Sequence, residues 1–252
     1  MKFIDLSAVI AQSPETVPPF LRTNITYNTH SDGAMQAQAI LKVPETVFRN
    51  NEGWATETIT ALGTHDSTHV DAPWHYNSTI QGEKAATIDE LPLEWFFSDG
   101  IVLDMTHKAD ADPVTVADIE KKLEAINYRL KPLDIVLVRT GCDAYYYQAD
   151  YLFRGCGVSP EATRWLYDKG IRVMGIDAWG WDIPLDRQAK SALEKNEKGI
   201  FWAAHQVDLP YAHIERLVNL GNVPACGFRV ACFPLKIKGG SAGPARVVAM
   251  ID

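Results

Sequence analysis

With 252 residues the chain is long enough to bury a sizeable core, and 46% hydrophobic with 22% charged residues is the balance of a folded globular protein. A formal net charge of −8 argues against nucleic acid and anionic membrane surfaces as partners, because both select basic surfaces. No stretch reaches the length of a transmembrane span and no secretory pattern opens the chain, so a cytoplasmic protein is expected.

In chain order, residues 1–5 read as a strand. Residues 8–58 are rich in Pro, Thr, Asn and Gln with little helical periodicity. Loops and short strands are expected there, part of them forming an arm over a neighbouring molecule. Pro18-Pro19-Phe20 and Trp54 are candidate apolar lids, although surface packing accounts for them better. Residues 88–96 suggest a short helix or turn, and residues 100–105 a buried strand. Thr115 opens a helix to about Ile126 or Tyr128, with Asp118 where a capping box usually has glutamate. Residues 134–140 form a second buried strand. Ser159-Pro160-Glu161 is a well-formed helix start, ended by Gly170, and residues 171–177 form a third strand. Residues 214–220 read as a helix and residues 245–251 as a strand that puts the C-terminus in the sheet.

This alternation predicts an α/β fold with some parallel pairing. With no internal repeat and no linker-like segment, one domain over residues 1–252 is expected. Cys142, Cys156, Cys226 and Cys232 are scattered without a CxxC pair and are expected as reduced, packed thiols.

The densest chemistry lies in residues 63–76, where His65, His69 and His75 fall within eleven residues and Asp71 stands among them. Imidazole and carboxylate without thiolate suit a borderline divalent ion. On a helix, His65 and His69 would share a face; on an extended segment, His69 and Asp71 would. Thr64, Ser67, Thr68 and Val70 are poor helix formers, and Pro73 biases Ala72 to extended geometry. A loop running into a strand is therefore expected, with His65, His69 and Asp71 converging on one ion. A polar turn with locally hydrogen-bonded histidines is the plainer alternative.

Two remote residues have respectable structural readings. His205 lies in an apolar, aromatic run and reads as a core histidine. Glu215, at the head of the expected helix, would serve the helix dipole. His75, beyond the proline, suits proton transfer or ligation. His30, His107 and His213 read as surface or packing residues. Trp179, Trp181 and Trp202 are candidate substrate-wall residues, since indole stacks on planar substrates.

The pattern His65-x-x-x-His69-x-Asp71-x-Pro73-x-His75 resembles the signature of the metal-dependent cyclase family, which includes bacterial kynurenine formamidases and isatin hydrolases. The resemblance extends through Asp5-Leu6-Ser7, Arg139-Thr140-Gly141, Gly175-Ile176-Asp177, His205, Ile214-Glu215-Arg216-Leu217, Gly227-Phe228 and Ser241-Ala242-Gly243. One departure is Ser67, where the family commonly has glycine. The resemblance implies a swivelling β/β/α-type mixed sheet with flanking helices. It implies one ion on His65, His69 and Asp71, and in two-metal relatives a second on Asp71, His205 and Glu215. It assigns His75 to proton transfer.

The expected function is a metal-dependent hydrolase in which a metal-activated water and His75 open a small amide, an aryl formamide or cyclic amide. A bound ion lowers the pKa of water from 15.7 to about 7 in favourable sites. The expected cofactor is Zn or Mn, one or two ions per chain, and the partners are a small-molecule substrate and further copies in a dimer or tetramer. A lactone hydrolase or cyclase is the alternative enzyme, and a metal-containing binding protein the alternative without turnover. No Gly-x-Ser-x-Gly, P-loop or Gly-x-Gly-x-x-Gly pattern points to a serine hydrolase or a nucleotide.

Overall fold

In the computed structural model, which describes residues 1–15, 17 and 22–252, one unit is formed by Met1–Val9 with Ser67–Asp252 and a second by Ile10–Asp66. The segment Pro18-Pro19-Phe20 lies outside the described residues. The larger unit opens with strand β1 (Lys2–Asp5).

The smaller unit pairs β2 (Asn24–Asn28) with β3 (Thr56–Ala61) antiparallel and holds a twelve-residue helix, α1 (His30–Leu41). This helix corrects the expectation of loops and short strands. Its start is a reciprocal capping box, Thr29 with Asp32, the same Thr/Asp variant found at Thr115. Its buried residues are Gly33, Ala34 and Ala37, too small to write a strong apolar period into the sequence. They are small because the backbone of Trp54 lies against them: a Cβ on Gly33 would sit 1.8 Å from the Trp54 carbonyl oxygen.

The larger unit continues through β4 (His69–Asp71), a single turn α2 (Pro73–Tyr76), and a small hairpin of β5 (Thr79–Ile80) and β6 (Glu83–Lys84). Then come β7 (Phe97–Asp104), α3 (Val116–Ala125), β8 (Ile135–Arg139), α4 (Pro160–Asp168), β9 (Val173–Ile176) and α5 (Leu185–Lys195). The chain ends with β10 (Ala212–Glu215), β11 (Phe228–Ala231), β12 (Ala242–Pro244) and β13 (Val248–Ile251).

Nine strands form one sheet in the order β1-β13-β11-β7-β8-β9-β10-β4-β12. Strands β7 to β10 are parallel neighbours, and the remaining pairs are antiparallel. The central strands are buried on both faces, which is why their sequences are near-continuous aliphatic runs. One core, on the side of α3 and α4, contains Ile119, Leu166, Val136, Met174 and Trp181; the other contains Val70, Ile135, Leu137 and Ile214. The α/β class, the three buried strands, both capped helices and the C-terminal strand agree with the sequence reading. The helix expected over residues 214–220 is absent. Ile214 and Glu215 belong to β10, and Arg216 turns the chain at φ 59° before Leu217 bridges Ser7.

Cys142, Cys156 and Cys232 are buried free thiols. Burial pushes Cys142 up to about 11 and Cys156 to about 12, so neither is a thiolate nucleophile at neutral pH. No helix among the described residues is long and apolar enough to cross a membrane.

Candidate metal centre

The centre is built on the register between two adjacent antiparallel strands. His69 on β4 lies opposite Glu215 on β10, and Asp71 lies opposite His213. Period-2 alternation puts these four side chains on one face and sends Val70 and Ile214, the pair between them, into the opposite core. A one-residue slip would reverse the faces and dissolve the site. Ser67 carries φ 57°, the left-handed geometry that favours glycine. The Ser67 carbonyl lies 3.0 Å from His69 Nδ1, and its hydroxyl donates to the Ala8 carbonyl.

Opposed strands bring the ligand atoms close. His213 Nε2 is 3.0 Å from Asp71 Oδ2 and 3.1 Å from Glu215 Oε1; His69 Nε2 is 3.2 Å from Asp71 Oδ1 and 3.7 Å from Glu215 Oε2. His205 Nε2, from the turn after α5, lies 3.5 Å from Glu215 Oε1. Asp71, His205, His213 and Glu215 are all buried and offer ligand atoms within 4.8 Å of one another.

Each imidazole is oriented through its other nitrogen. His205 Nδ1 meets the Asp182 carboxylate, which also accepts the backbone N–H groups of Ala204 and His205. His213 Nδ1 is 3.2 Å from the Tyr76 hydroxyl, which donates to the Asp71 carbonyl. Tyr76 and Trp181 both stack on the His213 ring. With Nδ1 committed in this way, three Nε2 atoms are directed at carboxylate oxygens. Lone pair facing lone pair is repulsive unless a proton or a cation lies between them. Burial and the Asp71 charge oppose ionisation of Glu215, yet hydrogen bonds from His205 and His213 hold its carboxyl well below the usual range. Burial likewise opposes protonation of His205, but Asp182 and Glu215 push it up to about 10; His69 is raised in the same way by Asp71 and Glu215. Three buried carboxylates thus draw positive charge into one small volume, and imidazole nitrogen with carboxylate oxygen is a donor set for zinc or manganese. The residues fit a divalent ion.

Asp182, next to the candidate wall residue Trp181, was not singled out from the sequence. Asp182→Asn removes the acceptor that orients His205 and is expected to lower metal affinity about 10- to 100-fold, the usual range for a partner of a ligand histidine. Competition with a chromogenic chelator measures it, and an unchanged dissociation constant would refute the orienting role.

The expected site residues distribute as follows. His69, Asp71, His205 and Glu215 come together in the larger unit. His65 belongs to the smaller unit, on the turn closed by the Asp66 N–H donating to the Gly63 carbonyl. His75, on α2, is 23% exposed, with Nε2 4.0 Å from Asp71 Oδ2 and its ring edge-on to Trp202. Trp202 stacks on His205 at 4.4 Å, and Trp179 is half-buried beneath the Arg216 guanidinium. Trp181 is fully buried: its indole N–H donates to Thr163 and its backbone N–H to Glu215. Its contacts are those of a support for the centre, and no face of it is open to a substrate. His213, read from sequence as a surface or packing residue, is corrected to a member of the cluster. The signal was its place two residues before Glu215, hidden by reading that stretch as helix.

Fold and centre together define an α/β protein with a buried histidine–carboxylate site for a divalent ion. The family model described as "Putative cyclase" matches residues 4–183, and the chain belongs to this cyclase family. A kynurenine formamidase of Salinibacter ruber is 29% identical over 196 residues, covering 74% of this chain and 76% of that protein. An isatin hydrolase of Roseibium aggregatum is 28% identical over 207 residues, covering 75% and 73%. Among solved structures, isatin hydrolase A from Labrenzia aggregata, bound to benzyl benzoate, superposes with a TM-score of 0.72 at 24% identity. It covers 99% of this chain and 93% of that one, a likeness of fold.

Proposed function

We propose that the chain is a metal-dependent hydrolase that opens a C–N bond other than a peptide bond in a small amide, an aryl formamide or a cyclic amide. The observation that carries this reading is the cross-strand centre of His69, Asp71, His213 and Glu215, completed by His205, in a chain whose relatives are a kynurenine formamidase and an isatin hydrolase. A divalent ion, Zn or Mn, supplies a water of lowered pKa and polarisation of the substrate carbonyl. Asp71, His205, His213 and Glu215 would hold it, with His69 beside them.

His75 differs from the others in reaching solvent while standing 4.0 Å from Asp71. It takes a proton as the attacking water is consumed and returns it to the leaving nitrogen. Trp179 and Trp202 offer half-buried indole faces for a planar substrate. His75→Ala is expected to keep its metal and lose about 10²- to 10⁴-fold in kcat. Loss of the metal instead would make His75 a ligand. Elemental analysis of the purified protein, together with turnover on formamides, cyclic amides and lactones, tests the whole reading. Metal with amide turnover supports it; turnover of lactones alone, or none with any added ion, overturns it.

We also propose self-association. The smaller unit exposes Tyr27, Met35, Ile40, Leu41, Val47 and Ile59, an apolar load that suits contact with further copies. Sedimentation at micromolar concentration should show a dimer or tetramer, and a monomer there would refute it.

A further inference from the structure

Gln188 is the one buried residue of α5, where every other position is half-buried or exposed. A buried side-chain amide has to place both a donor and an acceptor, and here both go to main chain. Its Nε2 donates to the Ile183 carbonyl at 2.5 Å, and its Oε1 accepts from the Trp202 N–H at 2.5 Å. Ile183 follows Asp182, the partner of His205, and Trp202 lies three residues before His205 itself. One side chain thus ties together the two segments that support this ligand.

The bond to Trp202 holds an uncommon backbone. Trp202 has φ 64°, a left-handed conformation that a bulky residue keeps only where its surroundings over-determine it. Its carbonyl accepts from the Gln206 N–H at 3.0 Å. The Ala204 and His205 N–H groups go to Asp182, and the Ala204 carbonyl accepts from the Tyr211 hydroxyl. Asp182 and Tyr211 therefore fix the His205 end of this turn. At its other end, among the described residues, Gln188 is the one side chain hydrogen-bonded to the Trp202 main chain.

The direction of the indole follows from that backbone. The ring stacks on His205 at 4.4 Å with 16° between the planes, and it stands at 78° to the His75 ring at 4.9 Å. It thus covers one face of a ligand and one side of the proton carrier. We propose that Gln188 is a positioning residue: by holding the Trp202 N–H it keeps the left-handed turn that lays the indole against His205 and His75. The positioning stands on this geometry, whereas its effect on rate rests on the amide-hydrolase reading above. Without the acceptor the Trp202 backbone relaxes to negative φ, the indole leaves both rings, and His75 loses the neighbour that sets its orientation.

The test uses the zinc-loaded protein. Gln188→Met and Gln188→Leu fill the space but remove both hydrogen bonds, and at least one of them should fold, as thermal melts will show. Gln188→Glu restores both bonds, because burial keeps its carboxyl protonated. Trp202→Gly removes the indole and suits the left-handed backbone, so emission lost on adding it to each protein isolates the Trp202 signal. Acrylamide should quench that signal more strongly in the Met and Leu variants than in wild type, and Gln188→Glu should match wild type. On a formamide substrate the Met and Leu variants should keep their zinc and lose about 10- to 100-fold in kcat, the effect of displacing a catalytic group by about 1 Å. In the Trp202→Gly background the same substitutions should change kcat by less than about twofold, since both act through one indole. Unchanged quenching in the Met and Leu variants would overturn the proposal, as would a kcat loss equally large without the indole, which would make Gln188 a packing residue of α5. If no amide is turned over, the amide-hydrolase reading fails and the quenching alone decides whether Gln188 positions Trp202.

Discussion

Asp71→Asn is expected to empty the centre of its ion and to lower kcat/KM by at least about a hundredfold, since loss of a mere partner of a ligand already costs 10- to 100-fold. Asp71 is fully buried, and its two oxygens face His69 at 3.2 Å and His213 at 3.0 Å, with His75 4.0 Å away. The amide replaces one acceptor by an N–H donor and removes one of three negative charges that draw a cation into the site. The fold should survive. The Asp71 charge works against ionisation of Glu215, so neutralising it relieves a buried repulsion in the metal-free protein. Bound metal stabilises the native state by mass action, about 2.7 kcal/mol at a hundred times the dissociation constant. Wild type should therefore melt lower after chelation, whereas the variant should melt at one temperature with or without chelator. Elemental analysis beside the two melting curves decides the matter. Full metal content with wild-type turnover in the variant would remove Asp71 from the centre.

The half of the site carried by one short stretch was legible in the sequence. His69 and Asp71 sit two apart on a real strand, and Pro73 ends it as the local geometry requires. The second half was legible only as a resemblance, because the residues between Ile214 and Leu220 satisfy a helical reading while β10 uses period two. That choice of period hid His213: on a helix, residues 213 and 215 diverge, whereas on a strand they share a face. Helix α1 was missed for a related reason, since its buried face is glycine and alanine and its cap carries the only local signal. Asp182 lies 23 residues from His205 and comes beside it only through the turns after α5. No local pattern encodes that meeting. Trp181 shows the limit of residue type as a guide: the same indole suits a substrate wall or a core, and burial alone separates them.

A single methyl group on a residue outside the centre should disturb it almost as much. Gly157 has φ 68°, and a Cβ there would lie 2.3 Å from the Ile183 backbone nitrogen and 2.5 Å from the Asp182 carbonyl carbon. Both neighbours are main chain, so relief requires the 182–183 segment to move. That segment is tied to the same place by the Val158 N–H donating to the Trp181 carbonyl at 2.8 Å. Gly157→Ala thus combines overpacking, about 1–3 kcal/mol, with left-handed strain of about 1 kcal/mol. A total near 3 kcal/mol corresponds to a melting temperature lower by about 10 °C in a chain of this size. Because Asp182 orients His205, the displacement should also reach the chemistry, where an error of about 1 Å can cost a hundredfold in rate. Gly239 is the control: it has the same φ of 68° but nothing within 4 Å of its absent Cβ. Gly239→Ala carries the strain without the clash and should lose only about 1 kcal/mol and little activity. Equal losses in the two variants would show that backbone strain, and not the close approach of residues 157 and 183, accounts for the effect.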